Sequence, residues 1–102
     1  MLFGVLYSPR ANVTEETQKR GLQLFTNWSP PFEFKANYSR GDGKGGIAII
    51  ETDSVEAIIE GVAPWVPFFE FEVTPVMDIQ AAVPALQRAQ DWRDSVVEIH
   101  RN

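Results

Sequence analysis

Cysteine is absent from the 102-residue chain, which removes disulfides, thiolate metal sites and cysteine nucleophiles together. Histidine occurs once, at His100 near the C-terminal end, so a catalytic triad or an imidazole metal site built within one chain has little to draw on. Nine Lys and Arg stand against fourteen Asp and Glu, a net charge of −5. The basic residues form no run, so the counterion-release footprint of a nucleic-acid binder is missing and nucleic acid is not an expected partner. No apolar stretch is long enough to span a bilayer, and Met1-Leu-Phe-Gly-Val-Leu-Tyr7 lacks the basic segment that opens a signal peptide. These absences lead to the expectation of a cytoplasmic protein without a membrane partner. The glycine-rich stretch Gly41 to Gly46 runs into an apolar strand rather than a helix, so it suits a hairpin and not a phosphate cradle.

What is present is a core. The chain is 44% hydrophobic and carries seven Phe, three Trp and two Tyr, a composition that folds rather than staying disordered. Its length suits one domain spanning residues 1–102, which should bury roughly 60 to 70% of the surface exposed when unfolded.

Residues 46–51 form the most continuous apolar run, and residues 2–7 a second one without polar alternation; both suit strands covered on two faces. Between them, Thr14 offers an N-cap to a helix with Thr17, Gly21, Leu24, Phe25 and Trp28 on one side. Ser29-Pro30-Pro31 ends that helix. From Phe32 the period changes to two, with Phe32, Phe34, Ala36 and Tyr38 expected on a dry face and Glu33, Lys35, Asn37 and Ser39 opposite. Asp53-Ser54-Val55-Glu56 has the shape of a capping box, with Asp53 as its cap, ahead of a second helix through Ala57, Ile58, Ile59 and Val62. Residues 68–74 alternate again, and Asp78 opens a C-terminal helical extension over 77–102, in which Ile79, Val83, Leu86 and Trp92 are candidates for one stripe and Pro84 for a kink.

The order is β-α-β-β-α-β plus a C-terminal helix, and the burial pattern tests it. In a split βαβ, ferredoxin-like sheet the spatial order is 4-1-3-2, with strands one and three in the centre. Those two strands are the ones without alternation, so an α+β, ferredoxin-like fold is expected. Helices cover one face of such a sheet. The other is apolar in its middle, with Glu33, Lys35, Glu70 and Glu72 towards its edges. Four strands present roughly 300 to 400 Å² in projection, and pairing of two such faces in a homodimer would cover both.

The string Gly43-x-Gly45-Gly46-Ile-Ala-Ile-Ile-Glu-Thr-Asp53, followed by Trp65-x-Pro-Phe-Phe-Glu-Phe-Glu-Val-Thr-Pro-Val-Met-Asp78, resembles a family of short proteins known only as a domain of unknown function in the dimeric α/β-barrel superfamily. The resemblance covers roughly residues 1 to 80, and Phe71-Glu-Val-Thr-Pro-Val76 is its most specific part. It implies a ferredoxin-like protomer, a barrel formed by two sheets, and no assigned activity.

Candidate ligand-binding residues are Tyr38, Arg40, Trp65, Glu33, Glu70 and Glu72. The glutamates could gather on one sheet face as an acid/base pair or metal site, although charged edge strands need no such role. Neither a metal nor a cofactor is expected. Abundant aromatics beside few catalytic groups point to a small homodimeric module that binds a small, partly apolar molecule or a partner. The rival is a cofactor-independent monooxygenase- or isomerase-like enzyme using Tyr38, Arg40 or a sheet-face glutamate, with its site in the sheet-helix cleft or the barrel.

Overall fold

The computed structural model describes the backbone of residues 1–101 and the side chains of residues 1–96. Its elements run β1 (Leu2–Pro9), α1 (Glu15–Thr26), β2 (Glu33–Ser39), β3 (Gly46–Glu51), α2 (Val55–Val62), a short 3₁₀ turn (Ala63–Trp65), β4 (Phe69–Val76) and α3 (Ile79–Arg101). The strands form one four-stranded antiparallel sheet in the order β2-β3-β1-β4. The two apolar runs are therefore its central strands, as their lack of alternation requires. The architecture is α+β and compatible with a ferredoxin-like fold.

The fully buried cluster is small: Val5 on β1 with Ala48 and Ile50 on β3, flanked by Phe3, Tyr7, Phe32, Phe34, Ile58, Phe71 and Val73. All of it lies on the helix-covered face. Helix α1 is capped as expected, the Thr14 hydroxyl accepting from the Thr17 N–H at 3.2 Å. None of its residues is fully buried, and Phe25, expected on its packing face, is 54% exposed. The helix stands off the sheet and leaves a gap instead of closing onto it.

Two local expectations are corrected. The cap of α2 is Ser54, whose hydroxyl accepts from the Ala57 N–H at 3.2 Å; Asp53 instead pairs with the Met1 ammonium at 2.9 Å. In β2 the alternation does not run unbroken from Phe32 to Tyr38. Phe34 stands opposite Ile50 and Ala36 opposite Ile49, so Lys35 is an extra residue, a β-bulge. A single inserted residue exchanges the faces of everything beyond it. Asn37 thus joins the helix side, opposite Ala48, and Tyr38 joins the open side, opposite Ile47. Lys35 is held at the bulge between Glu33 and Glu51, 3.1 Å from each, and these carboxylates, Glu51 foremost, raise its pKa.

The open face carries Leu6, Ile47, Tyr38 and Val76, all exposed, around the half-buried Leu2 and Ile49. Helix α3 does not fold back over it. Ile79, Val83, Leu86 and Trp92 are each more than half exposed, and of its described side chains only Ala82 and Val96 are not fully exposed. Pro84 lies inside α3 without ending it. At 100° per residue Ile79, Val83 and Leu86 fall on one stripe, whereas Trp92 points away from it.

Candidate functional site: an aromatic cleft between sheet and helices

The gap under α1 is a cleft of about 410 Å³. Its floor is the helix side of the sheet, from Phe34 through Ile50, Ala48, Val5 and Tyr7 to Phe71. One wall is α1, through Gly21, Leu22, Phe25 and the following Trp28; the other is the segment after β3, through Gly61, Val62, Trp65 and Phe68. Among the described residues no acidic, basic or histidine side chain lines it.

Trp28 organises the walls. Its ring lies 5.2 Å from Trp65, 6.3 Å from Phe32 and 6.0 Å from Phe34, all edge to face, a geometry favoured by the ring quadrupoles. Proline places it: Ser29-Pro30-Pro31 stops α1 just beyond, so Trp28 falls at the corner where the chain turns into β2. Gly61 in α2 lets Phe32 approach, since a Cβ there would lie 2.6 Å from the ring's Cζ.

The polar end of the cleft is made by Tyr7 and Asn37. The Tyr7 hydroxyl donates to Asn37 Oδ1 at 3.1 Å, and Asn37 Nδ2 makes no hydrogen bond among the described residues. Two features of sequence create this pair. The Lys35 bulge turns Asn37 to the helix side, and Gly46, opposite Tyr7 in the ladder, leaves space for the ring: a Cβ on Gly46 would collide with the Tyr7 hydroxyl and lie 2.7 Å from Cζ. Partial burial raises the Tyr7 pKa above its ordinary 10.0, because desolvation disfavours the phenolate. A second polar atom, Trp65 Nε1, is buried without a partner among the described residues.

Of the six candidate ligand-binding residues, the cleft takes Trp65 alone. Tyr38 is on the opposite face. Arg40 lies in the β2–β3 hairpin, where its guanidinium reaches Asp42 at 2.6 Å; the same carboxylate accepts the Lys44 N–H at 2.9 Å, and that backbone bond, then Arg40, lowers its pKa. Gly43 and Gly45, at φ of 73° and 95°, allow the turn. Glu33 lies at the β2 edge, Glu70 and Glu72 at the β4 edge, so three strand spacings of about 4.8 Å separate Glu33 from the other two. That distance prevents a shared metal or proton. Glu70 faces Arg10 at 3.9 Å. Among the described residues no group of three or more His, Asp or Glu could hold a metal, and no helix is long and apolar enough to cross a membrane. The His100 side chain lies outside those described.

Tyr7 and Asn37 escaped the sequence reading. The available signal was Tyr7 itself: a phenol ending an otherwise apolar central strand needs a partner for its hydroxyl.

Residues 1–90 match a family described as a domain of unknown function (DUF3303), and the chain belongs to that family. No curated protein matches the chain.

Proposed function

We propose that the protein is a small homodimeric module that binds a small, partly apolar molecule in the cleft between its sheet and helices. The observation that carries the binding half is the cleft itself, about 410 Å³, within the size of ordinary ligand sites and built as they are, from aromatic walls with a few convergent polar groups. The enzyme alternative rests on Tyr38, Arg40 and the sheet-face glutamates. All of these lie outside the cleft, so the cleft itself draws no catalytic group from them.

The dimer half is supported by two unpartnered surfaces on one protomer, the open sheet face and the apolar stripe of α3. Two faces of roughly 300 to 400 Å² each fall short of the roughly 1,200 Å² that specific interfaces bury, so α3 has to contribute. A two-sheet barrel of the dimeric α/β-barrel kind would satisfy both surfaces. Native mass spectrometry of the full chain tests the halves separately. The expected spectrum is a dimer that retains an added apolar probe. A protomer mass at micromolar concentration removes the dimer, and failure of every apolar probe to bind removes the ligand.

A further inference from the structure

We infer that the cleft selects neutral aromatic molecules of about two fused rings carrying one oxygen, and rejects carboxylates of the same shape. This inference rests on the cleft being a binding site, and adds the class of ligand.

Size comes first. An apolar cavity of about 150 Å³ holds one benzene, so about 410 Å³ leaves room for two fused rings and a substituent. The walls offer the faces and edges of Phe25, Trp28, Phe34, Trp65 and Phe71, which suit a flat π-system stacked or packed edge to face.

Charge decides next. An anion entering the cleft would lose its hydration and find no cation among the described lining residues: Lys35 is engaged by Glu33 and Glu51 at the far edge, Arg40 by Asp42 in the hairpin, and Arg10 donates to the Val66 carbonyl outside the lining. A desolvated, unpaired carboxylate is strongly disfavoured. A cation would meet aromatic faces but no carboxylate. Aromatic faces attract a cation, so the charge discrimination of the cleft is against anions.

The polar end selects oxygen. The Tyr7 proton is committed to Asn37 Oδ1, which leaves the two Asn37 Nδ2 protons as donors and the Tyr7 oxygen lone pairs as acceptors at this end, while Gln18 on α1 brings a second amide to the lining. A hydroxyl can use both and a carbonyl can use the donors.

The test is a matched series on the full chain: naphthalene, naphthol and naphthoate, titrated calorimetrically and followed by the indole N–H resonances. The expected result is that naphthol binds tightest and that Tyr7→Phe weakens it about three- to tenfold, as one hydrogen bond is worth, while naphthalene is unaffected. Naphthoate should bind at least about tenfold more weakly than naphthol. The Trp28 and Trp65 resonances should move and that of Trp92, on α3, should not. If naphthoate matches naphthol at the Trp28 and Trp65 signals, the selectivity is overturned and the binding function stands. If Tyr7→Phe leaves naphthol binding unchanged, the assignment of its oxygen to Tyr7 and Asn37 is overturned. If no member of the series shifts those signals, the binding function itself fails, and the inference with it.

Discussion

Gly21 and Gly61 face each other across the cleft on two helices, and the same substitution to alanine should move stability in opposite directions. In a helix interior, Gly→Ala gains about 0.8 to 1 kcal/mol from restricted backbone freedom in the unfolded chain and better helix propensity. At Gly21 nothing offsets that gain. An added Cβ would lie 3.7 Å from Phe68 Cδ1, an ordinary contact. At Gly61 the Cβ would lie 2.6 Å from Phe32 Cζ and 3.2 Å from Cδ2, so the ring must move, and overpacking of this kind costs about 1 to 3 kcal/mol. Phe32 is held by Trp28 on one side and by Phe34, 5.5 Å away, on another; its free direction is into the cleft. The net expectation is about 1 kcal/mol gained by Gly21→Ala and about 1 kcal/mol lost by Gly61→Ala. At roughly 4 to 8 °C per kcal/mol for a domain of this size, the two midpoints should separate by about 10 °C. Thermal unfolding followed by far-ultraviolet circular dichroism reads this directly, with urea midpoints as a check on the slope. A Gly61→Ala variant as stable as Gly21→Ala would show that Phe32 is not fixed by its aromatic neighbours, and the described shape of the cleft would be wrong.

Three further outcomes follow from other parts of the molecule. Burial favours the neutral phenol of Tyr7, so its folded-state pKa lies above the unfolded value. Its contribution is complete below the ordinary pKa near 10.0 and is lost as pH rises through the folded value. Phenolate absorbance, compared between the wild-type chain and Tyr7→Phe, should show Tyr7 ionising above pH 10.0; ionisation at or below that pH would contradict its partial burial. Val83→Glu combined with Leu86→Glu alters side chains that are 53% and 58% exposed, so it should leave the circular dichroism spectrum unchanged while light scattering falls from dimer to protomer mass. A dimer that survives both charges would show that the α3 stripe is not part of the interface. Ser54→Ala removes the acceptor of the Ala57 N–H and should cost about 1 kcal/mol, whereas Asp53→Ala, which breaks only an exposed ion pair with the N-terminus, should cost less than about 0.5 kcal/mol in urea titrations.

The element order and the arrangement of the sheet could be read from the residues because burial on two faces leaves a mark that local sequence carries. Leu2 to Tyr7 and Gly46 to Ile50 lack alternation, and only central strands tolerate that. The end of α1 was legible for the same local reason, since Pro30 and Pro31 cannot continue a helix. The cleft was less legible. Its lining comes from every layer of the fold, and Tyr7 meets Asn37 across 30 positions of sequence. The Lys35 bulge was hidden because the stretch from Phe32 to Ser39 alternates well enough to suit an unbroken strand. What decides between the two registers is the pairing with β3, where Glu33 and Glu51 stand opposite each other and share Lys35.

That bulge connects the two surfaces on which the proposed function depends. Asn37 and Tyr38 are consecutive, and in any strand consecutive side chains take opposite faces; the bulge determines which face each one receives. With Lys35 looped out, the amide that receives the Tyr7 hydroxyl enters the cleft, and Tyr38, 68% exposed, is delivered beside Ile47 and Leu6 on the open face. An unbroken β2 would have placed Tyr38 in the cleft and Asn37 on the open face, leaving Tyr7 without this partner and a polar amide in the middle of an apolar surface. Both faces are thus set by one exposed lysine and the two carboxylates that hold it. The ion pairs themselves contribute little to stability because they are exposed; their effect is on register, where a choice between two pairings needs only a small difference in free energy to be decided.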